Sequence, residues 1–318
     1  MRIAAVSLAV PPRVQTAEEL APLIGKSSAW VEEHTGVLRR RVADDDVSPA
    51  QLAAAAAREV IASAGVPDLI IYAGALTQQL VPDTAAFVQR ELGLERVPGY
   101  TVNQTCLSFI AALEVAHGLL TVGRYRRVLI CGAELATRGR SFDEAESAAL
   151  LGDGAAAAIV ERVDDDASDL LHCELETWSA ALDFCYVKAG NHPPPRPDPN
   201  HNELYHFHMN GPQLYRFVLP KLRRFLDGFF ARAGCTQADV KLVVPHQASG
   251  QALRVLEQFG FARDQVVNIV AEYGNCVAAS CPMALATAVR DGRIARGDLT
   301  LLIGTAAGAS IGAALLRW

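Results

Sequence analysis

Two stretches of this chain lie on one another without a gap. The segment that begins at Asn103 superposes on the one that begins at Asn275, and thirty positions then run in parallel to Gly132 and Gly304. Asn103 falls on Asn275, Ser108 on Ser280, Ala112 on Ala284, Leu113 on Leu285, Arg124 on Arg296 and Leu129 on Leu301. Both copies read as polar turn, Ala-rich helix, basic turn, buried strand and Gly. Some of the match is cheap, because both copies are rich in Ala. A repeat of this length still limits the fold more than composition does, since each copy must be the same supersecondary unit. It implies two α/β halves, each projecting its turn from the same edge of its own sheet. Cys106 in the first copy falls on Ala278 in the second.

Cys106 sits in Val102-Asn103-Gln104-Thr105-Cys106-Leu107-Ser108-Phe109, where an apolar stretch hands over to a helix-patterned run. The partial positive charge of a helix N-terminus favours thiolate over thiol, so this position suits a nucleophile. A buried structural thiol is the competing reading, because free Cys is often buried.

The remaining pattern alternates helix and strand. Strands are expected over 1–10, 69–73, 99–102, 128–134, 155–161, 242–245, 266–270 and 299–303. Helices are expected over 17–24, 27–36, 48–64, 83–92, 109–122, 212–233 and 282–289, the second opening at Ser27 and closing at Gly36. Gly152-Asp153-Gly154 reads as a tight turn, and Gly304 to Ser310 as a flexible stretch. Arg39-Arg40-Arg41 and Asp44-Asp45-Asp46 read as solvated surface. A boundary at Asp164-Asp165-Asp166 divides the chain into 1–163, which carries the Cys, and 164–318. The proline-rich run from His192 to Pro199 reads as an exposed loop. His192, His201, His206 and His208 match no trusted ligand spacing, so no metal site is expected.

Several classes are disfavoured. Mixed charges summing to −6 argue against a nucleic-acid surface. Apolar runs are too short for a membrane span. The start resembles a signal peptide only weakly, because Pro11-Pro12-Arg13 follows the apolar run without a clear cleavage site. Seven scattered Cys without C-x-x-C suggest a reducing cytoplasm.

His246 and Asn275, like Cys106, end or follow apolar strands, and open α/β sheets gather ligands outside the carboxyl ends of strands. A Cys with a distant His and Asn is a known nucleophile pattern. The chemistry it suits is acyl transfer. Cys106 takes an acyl group from a thioester, and backbone N–H groups of Cys106 and of Ala307 or Gly308 receive the oxyanion. His246 and Asn275 then donate hydrogen bonds to an enolate. Taken singly, His246 is a core His and Asn275 a turn former.

With Gly152-Asp153-Gly154-Ala155-Ala156, Val244-Pro245-His246-Gln247-Ala248 and Gly274-Asn275-Cys276-Val277-Ala278-Ala279-Ser280-Cys281-Pro282 added to the Cys106 segment, the sequence resembles the thiolase-fold condensing enzymes. It is most similar to the 3-oxoacyl-acyl-carrier-protein synthase III group, from near residue 1 to Trp318. The resemblance implies a duplicated five-layer α/β/α/β/α fold, a homodimer and ping-pong chemistry. Cys106 would take its acyl group from coenzyme A or an acyl-carrier protein. His246 and Asn275 would promote decarboxylation of a malonyl thioester, whose carbanion attacks the acyl-Cys. The thioesters are substrates, and no cofactor is implied.

Departures from the family pattern concern delivery. Trp30 matches an adenine-stacking Trp, but His34 and Ala145 stand where arginines are expected. Ser249 and Gln251 replace an Asn and an Arg, and Glu257-Gln258 replaces a lysine pair of the carrier-docking helix. Arg216 keeps one basic position, so Trp30, Arg216 and Ser249 are the candidate binding residues. Fewer cations weaken attraction to an acidic carrier or to phosphates. The pattern points to a specialised member, in fatty-acid or, more in keeping with these losses, polyketide-like secondary metabolism. Rival readings are non-decarboxylating condensation of two acyl chains, simple acyl transfer, an idle partner subunit, and an unrelated Cys hydrolase with His246 as base.

Overall fold

The computed structural model describes residues 1–163, 169–189 and 201–318, the side chains of His201 and Asn202 excepted. The 164–166 boundary and His192 to Pro199 therefore lie outside the described residues. The first half contributes strands β1 (Arg2–Ala9), β2 (Leu69–Tyr72), β3 (Gly99–Thr101), β4 (Arg127–Leu135) and β5 (Asp153–Glu161). Its helices are α1 (Ser28–Thr35), α2 (Pro49–Ala64), α3 (Thr84–Glu91), α4 (Ser108–Thr121) and α5 (Ala145–Leu150). The second half contributes β6 (Leu170–Ala181), β7 (Leu242–Pro245), β8 (Leu299–Ala306) and β9 (Gly308–Arg317). Its helices are α6 (Gly211–Ala233), α7 (Gly250–Gln258) and α8 (Ser280–Arg290).

The repeat survives in three dimensions. The first sheet runs β1-β5-β4-β2-β3 and the second β6-β9-β8-β7. In each, a central pair is parallel (β2 with β4, β7 with β8) and the next two strands are antiparallel. Where β3 pairs with β2, the second half has a single parallel bridge from Val266 to Val243. Helices α4 and α8 begin at Ser108 and Ser280, and strands β4 and β8 at Arg127 and Leu299, all at matching repeat positions.

Three cores explain the layering. The aliphatic faces of α4 and α8, with Ile110, Leu113, Met283 and Leu285, pack between Ile71 and Ile130 of one sheet and Val244 and Leu302 of the other. The outer face of the first sheet is covered by α2 and α3, where the Ala side chains of α2 let the helix lie close to the strands. Phe225, Phe229 and Phe230 of α6, with Leu256 of α7, cover the outer face of the second. The result is the expected α/β/α/β/α stack. Full burial of Leu113 contributes about 1.5–3 kcal/mol, and Leu113→Ala at the centre costs about 2–5 kcal/mol.

Local signals explain the helix limits. Ser27 Oγ accepts the Trp30 N–H, and Gly36, in the left-handed region at φ 77°, closes α1. Ser48 and Gln51 form a capping box at α2, and Asp83 caps α3. Four expectations are corrected. Asp153 and Gly154 are not a turn but the start of β5, where the Asp153 carboxylate accepts N–H groups from Ala43 and Thr137. Val266 makes only one bridge before a helical turn begins at Val270, because the chain must turn to present the 274–280 segment. Gly304 to Ser310 is a paired hairpin of β8 and β9, not a flexible stretch. Arg40 is fully buried, its Nη1 donating to the carbonyls of Ala148 and Ala149 at 3.3 and 2.6 Å. Asp44 to Asp46 are exposed as expected. Among the described residues no cluster suited to a metal ion occurs, and no helix is long and apolar enough to cross a membrane.

Candidate active site

Cys106 lies two residues before α4 in a turn built by its neighbours. Asn103 Oδ1 accepts the Thr105 N–H at 2.9 Å. Ser108 Oγ accepts the Gln104 N–H and donates to the Thr105 carbonyl at 2.6 Å. Thr105 is thereby held at φ 50°, a left-handed conformation that a β-branched residue adopts only when its surroundings impose it. Gln104 Nε2 reaches Ser310 Oγ at 3.2 Å, tying the turn to β9 of the other half.

The thiol is partly buried. Burial pushes it up to about 12, and the nearby Glu134 and Cys185 push the same way. Backbone N–H groups of Cys106 itself and of Ala307 pull it down without overcoming burial. The resting group is a thiol, so a helix start alone does not make a standing thiolate here. Ala307 sits at the tip of the β8–β9 hairpin, which is how two backbone donors from different halves come to face one sulfur.

His246 follows β7 and is 6% exposed. Its N–H donates to the Ile303 carbonyl at 2.8 Å, so the residue rests against β8. Burial brings the imidazole down to about 4, against a hydrogen bond to the Val277 backbone that acts the other way. The ring is neutral at pH 7, and its Nδ1 is buried without a hydrogen-bond partner. Gln247 pins this turn from below, donating to Pro245 and Val267 carbonyls and accepting the Ile269 N–H.

Asn275 repeats the geometry of Asn103. Its Oδ1 accepts the Val277 N–H at 2.8 Å, and Val277 stands at φ 44° as Thr105 does at φ 50°. Its Nδ2 donates to the Ala248 carbonyl at 3.3 Å, which links the Asn275 turn to the His246 turn. Gly274, at φ 66°, has no room for a side chain: a Cβ would lie 2.5 Å from the Leu150 carbonyl oxygen.

Gly304 brings two of the three turns together. A Cβ there would meet His246 Cβ at 2.7 Å and Leu107 Cδ2 at 3.0 Å, so the His turn and the Cys turn close on one backbone position. The repeat singles Gly304 out as the partner of Gly132, yet the residues alone give it no role. Glu134, a carboxylate at the end of an apolar strand, is an anomaly visible in the sequence. It is fully buried, accepts N–H groups from Ala75 at 2.6 Å and Leu76 at 3.1 Å, and is pushed up to about 8 by burial.

A pocket of about 650 Å³ opens between α6 and α7. Its wall runs from the buried Pro245, His246 and Ile303 to the exposed Glu146, His34, Tyr215 and Arg254. Ser249 lines it while its Oγ caps α7 by accepting the Ala252 N–H. Cys106, Trp30 and Arg216 are not part of the wall. Trp30 lies on α1 with its ring stacked on His34 at 4.4 Å, and Arg216 is exposed on α6.

Comparison with known proteins bears on the family and the fold. The family model described as 3-oxoacyl-[acyl-carrier-protein] synthase III matches residues 100–179, and the one for its C-terminal part matches residues 230–318. The chain is 32% identical to the β-ketoacyl-[acyl-carrier-protein] synthase III of Symbiobacterium thermophilum, over 99% of this chain and 97% of that protein. The crystal structure of the 3-oxoacyl-[acyl-carrier-protein] synthase III of Aquifex aeolicus superposes with a TM-score of 0.90 at 28% identity, covering 100% of this chain and 99% of that one. The priming β-ketosynthase of the R1128 polyketide pathway gives a TM-score of 0.88 at 26% identity, with 99% and 95% covered. On the Cys106, His246 and Asn275 turns, the duplicated sheets and these matches, the chain belongs to the thiolase-fold 3-oxoacyl-[acyl-carrier-protein] synthase III family.

Proposed function

We propose that this protein is an acyltransferase that loads an acyl group onto Cys106 and condenses it with a malonyl-type thioester. The observation that carries the reading is the convergence at one sulfur of two backbone donors, Cys106 N–H and Ala307 N–H, beside the His246 turn. Donors fixed before the reaction stabilise charge as it develops and need no reorganisation. In the first half-reaction the Cys106 sulfur–acyl bond forms and the acyl–sulfur bond of the donor breaks. The tetrahedral oxyanion sits between the two donors, with Gly308 next in line, and the Cys106 proton leaves on the departing thiol.

His246 and Asn275 serve the second half-reaction. A neutral imidazole has one N–H to give and holds no second proton at pH 7. Burial keeps His246 in that form, and the N–H that faces the Val277 backbone in the free protein is the one that turns to the substrate. Asn275 Nδ2 has a second hydrogen beside the one given to Ala248. Together they donate to the thioester oxygen of the malonyl group as carbon dioxide leaves, and the resulting carbanion attacks the acyl carbon. Cys106 is released as the leaving group and recovers a proton. The priming β-ketosynthase among the structural relatives, with the altered binding residues, favours a starter role in a polyketide-like pathway of the cytoplasm.

A homodimer completes the reading. Strand β3 is an open edge of the first sheet with Tyr100 exposed on it, and Leu80 and Val81 project nearby from the loop before α3. A paired edge removes a row of free backbone groups from water.

The experiment is intact-mass analysis after incubation with acyl thioesters, then addition of malonyl thioester. The expected result is one acyl adduct that vanishes in Cys106→Ala and is discharged with release of carbon dioxide. An adduct that persists in Cys106→Ala refutes the nucleophile. Discharge without carbon dioxide replaces the second half-reaction by plain transfer or by condensation of two acyl chains.

A further inference from the structure

At the end of α5 three successive carbonyls find partners outside their own helix. The last carbonyls of a helix have no intrahelical N–H to accept. Here those of Ala148 and Ala149 accept Arg40 Nη1, at 3.3 and 2.6 Å, and that of Leu150 accepts the Asn275 N–H at 2.8 Å. The Asn275 carbonyl in turn accepts the Gly152 N–H at 3.1 Å, so Leu151 and Asn275 bridge as in a parallel ladder. Both backbone groups of Asn275 are thus tied to residues 150–152, and the helix end before them is tied to Arg40. Asn275 Oδ1 is itself fixed to the Val277 N–H at 2.8 Å, so the side-chain amide goes where this backbone goes.

The fit leaves no slack. A Cβ on Gly152 would stand 2.1 Å from the Tyr273 carbonyl oxygen and 3.2 Å from Arg40 Cβ. One on Gly274 would stand 2.5 Å from the Leu150 carbonyl oxygen. The 150–152 and 273–275 segments therefore meet with no side chain between them. The short strand Arg39–Arg41 and its approach also grip the chain that leads to Asn275. The Leu38 N–H donates to the Ala271 carbonyl at 3.0 Å, and Arg39 Nη2 lies 2.7 Å from the Glu272 carboxylate.

Arg40 is fully buried. Burial pulls its guanidinium down to about 9, with Arg140 acting the same way and Cys276 against them, and it stays a cation at pH 7. Taking a cation out of water is expensive, and an apolar residue of like volume often serves a core as well. What an apolar residue cannot supply is the bond to two helix-end carbonyls. The Cys106 turn is closed by a separate set of bonds, from Asn103, Ser108 and the Gln104–Ser310 pair.

We propose that Arg40 is a positioning residue for the second half-reaction: by holding the end of α5 it fixes the Asn275 turn, and with it the aim of the Asn275 amide. This rests on the role proposed above for Asn275. Arg40 is not in the pocket wall and acts through the backbone of α5 and Asn275 alone.

The test reads the two turns and the two half-reactions separately, in Arg40→Met and Arg40→Lys. Met keeps an unbranched stem and removes the donors, and Lys keeps a cationic donor on a chain one bond shorter. Hydrogen exchange read by mass spectrometry over 273–279 and 103–108 follows the turns with no substrate present. In Arg40→Met, exchange over 273–279 is expected to rise by at least about tenfold, and that over 103–108 to stay within about twofold. Cys106 acylation should stay within about threefold of the unaltered protein, while carbon dioxide release from the malonyl thioester falls about tenfold to a hundredfold. Arg40→Lys should lie between the unaltered protein and Arg40→Met on both readings. Equal losses in the two half-reactions overturn the proposal, as does unchanged exchange over 273–279 or an Arg40→Lys no better than Arg40→Met. Should Arg40→Met not fold, Arg40→Lys against the unaltered protein decides by the same pattern, faster exchange confined to 273–279 and loss confined to condensation. If the unaltered protein releases no carbon dioxide, the reaction proposed above is what fails, and the exchange pattern still decides whether Arg40 holds the turn.

Discussion

Gly304→Ala tests whether the site depends on the close approach of the two turns. The added Cβ would stand 2.7 Å from His246 Cβ and 3.0 Å from Leu107 Cδ2. Apolar carbons rest at about 3.5–4.0 Å, so the neighbours must give by roughly 0.5–1.3 Å. The Leu107 methyl can rotate away. His246 Cβ is one bond from a backbone tied to Ile303 by a 2.8 Å hydrogen bond, so the strand or the His must move. Overpacking of this kind costs about 1–3 kcal/mol of stability. A misplacement near 1 Å costs on the order of a hundredfold in rate. Because His246 serves only the second half-reaction in the proposed mechanism, Cys106 acylation in Gly304→Ala should stay within a few-fold of the unaltered protein. Condensation with malonyl thioester should fall about a hundredfold. Stopped mass analysis reads the first, and carbon dioxide release the second. Gly312→Ala is the control, since the nearest atoms to its Cβ would be in the flexible Leu107 and Leu175 side chains, at 3.1–3.3 Å. Normal condensation in a folded Gly304→Ala protein, or equal losses in both variants, would refute the reasoning.

Other outcomes follow from the same geometry. With the Cys106 thiol pushed up to about 12, its alkylation by iodoacetamide should climb roughly tenfold per pH unit between about pH 7 and 9, and a plateau near pH 7 contradicts a resting thiol. His246 is lowered from 6.5 to about 4 on folding, so between those values the unfolded chain binds the proton that the folded one refuses. Stability from this residue is complete above pH 6.5 and falls as the pH drops toward 4, by on the order of 3 kcal/mol. Urea unfolding of the unaltered protein and of His246→Asn at several pH values should show the difference between them shifting by that amount, and a constant difference refutes it. His246→Ala should retain acylation and lose condensation, and loss of acylation instead would assign His246 to the first step. Val277→Asn places a residue tolerant of φ 44° where a β-branched one is strained, and should raise stability by about 1 kcal/mol in thermal unfolding.

The sequence was most readable where local chemistry and tertiary packing agree. The ungapped repeat aligned the two helix starts and the two strand starts with one another, while the expected limits at 109, 282 and 128 lay one or two residues inside the observed ones, because a polar turn, an Ala-rich helix and a buried strand each have their own signature but a helix's first turn does not. It also placed Cys106 and Asn275 at equivalent turns. The misses have physical causes. Arg40 sits in an exposed-looking run of three arginines, but the carbonyls at the end of α5 give its guanidinium partners inside the fold. Strands β6 and β9 were not marked, since β9 is built of small and aliphatic residues buried on both faces, which leaves no alternation to detect. The ionisation of Cys106 was misjudged because a helix start is visible in sequence, whereas burial and the charge of Glu134 depend on residues far away in the chain.

The two equivalent turns also explain why one half carries the nucleophile and the other does not. Both bend at a strained residue, Thr105 and Val277, and both are closed by an Asn side chain that accepts the next-but-one N–H. The residue after the bend is Cys106 in one and Ala278 in the other. Each therefore offers a turn N–H at the same place relative to its own sheet. At Cys106 that N–H is joined by the Ala307 N–H from the hairpin of the opposite half, and the sulfur is partly open. At Ala278 it is taken by the Glu134 carboxylate, which also accepts the Ala75 and Leu76 N–H groups and is sealed from solvent. One turn thus presents its donor to an incoming acyl oxygen, while the other has its donor filled by an internal carboxyl group that burial pushes up to about 8. Glu134→Gln keeps the shape and removes the ionisable group. A lower Cys106 ionisation threshold, read as faster alkylation at pH 8, is the expected result, since Glu134 now raises it. Unchanged alkylation would mean that burial alone sets the thiol, and that the filled turn has no electrical hold on the open one.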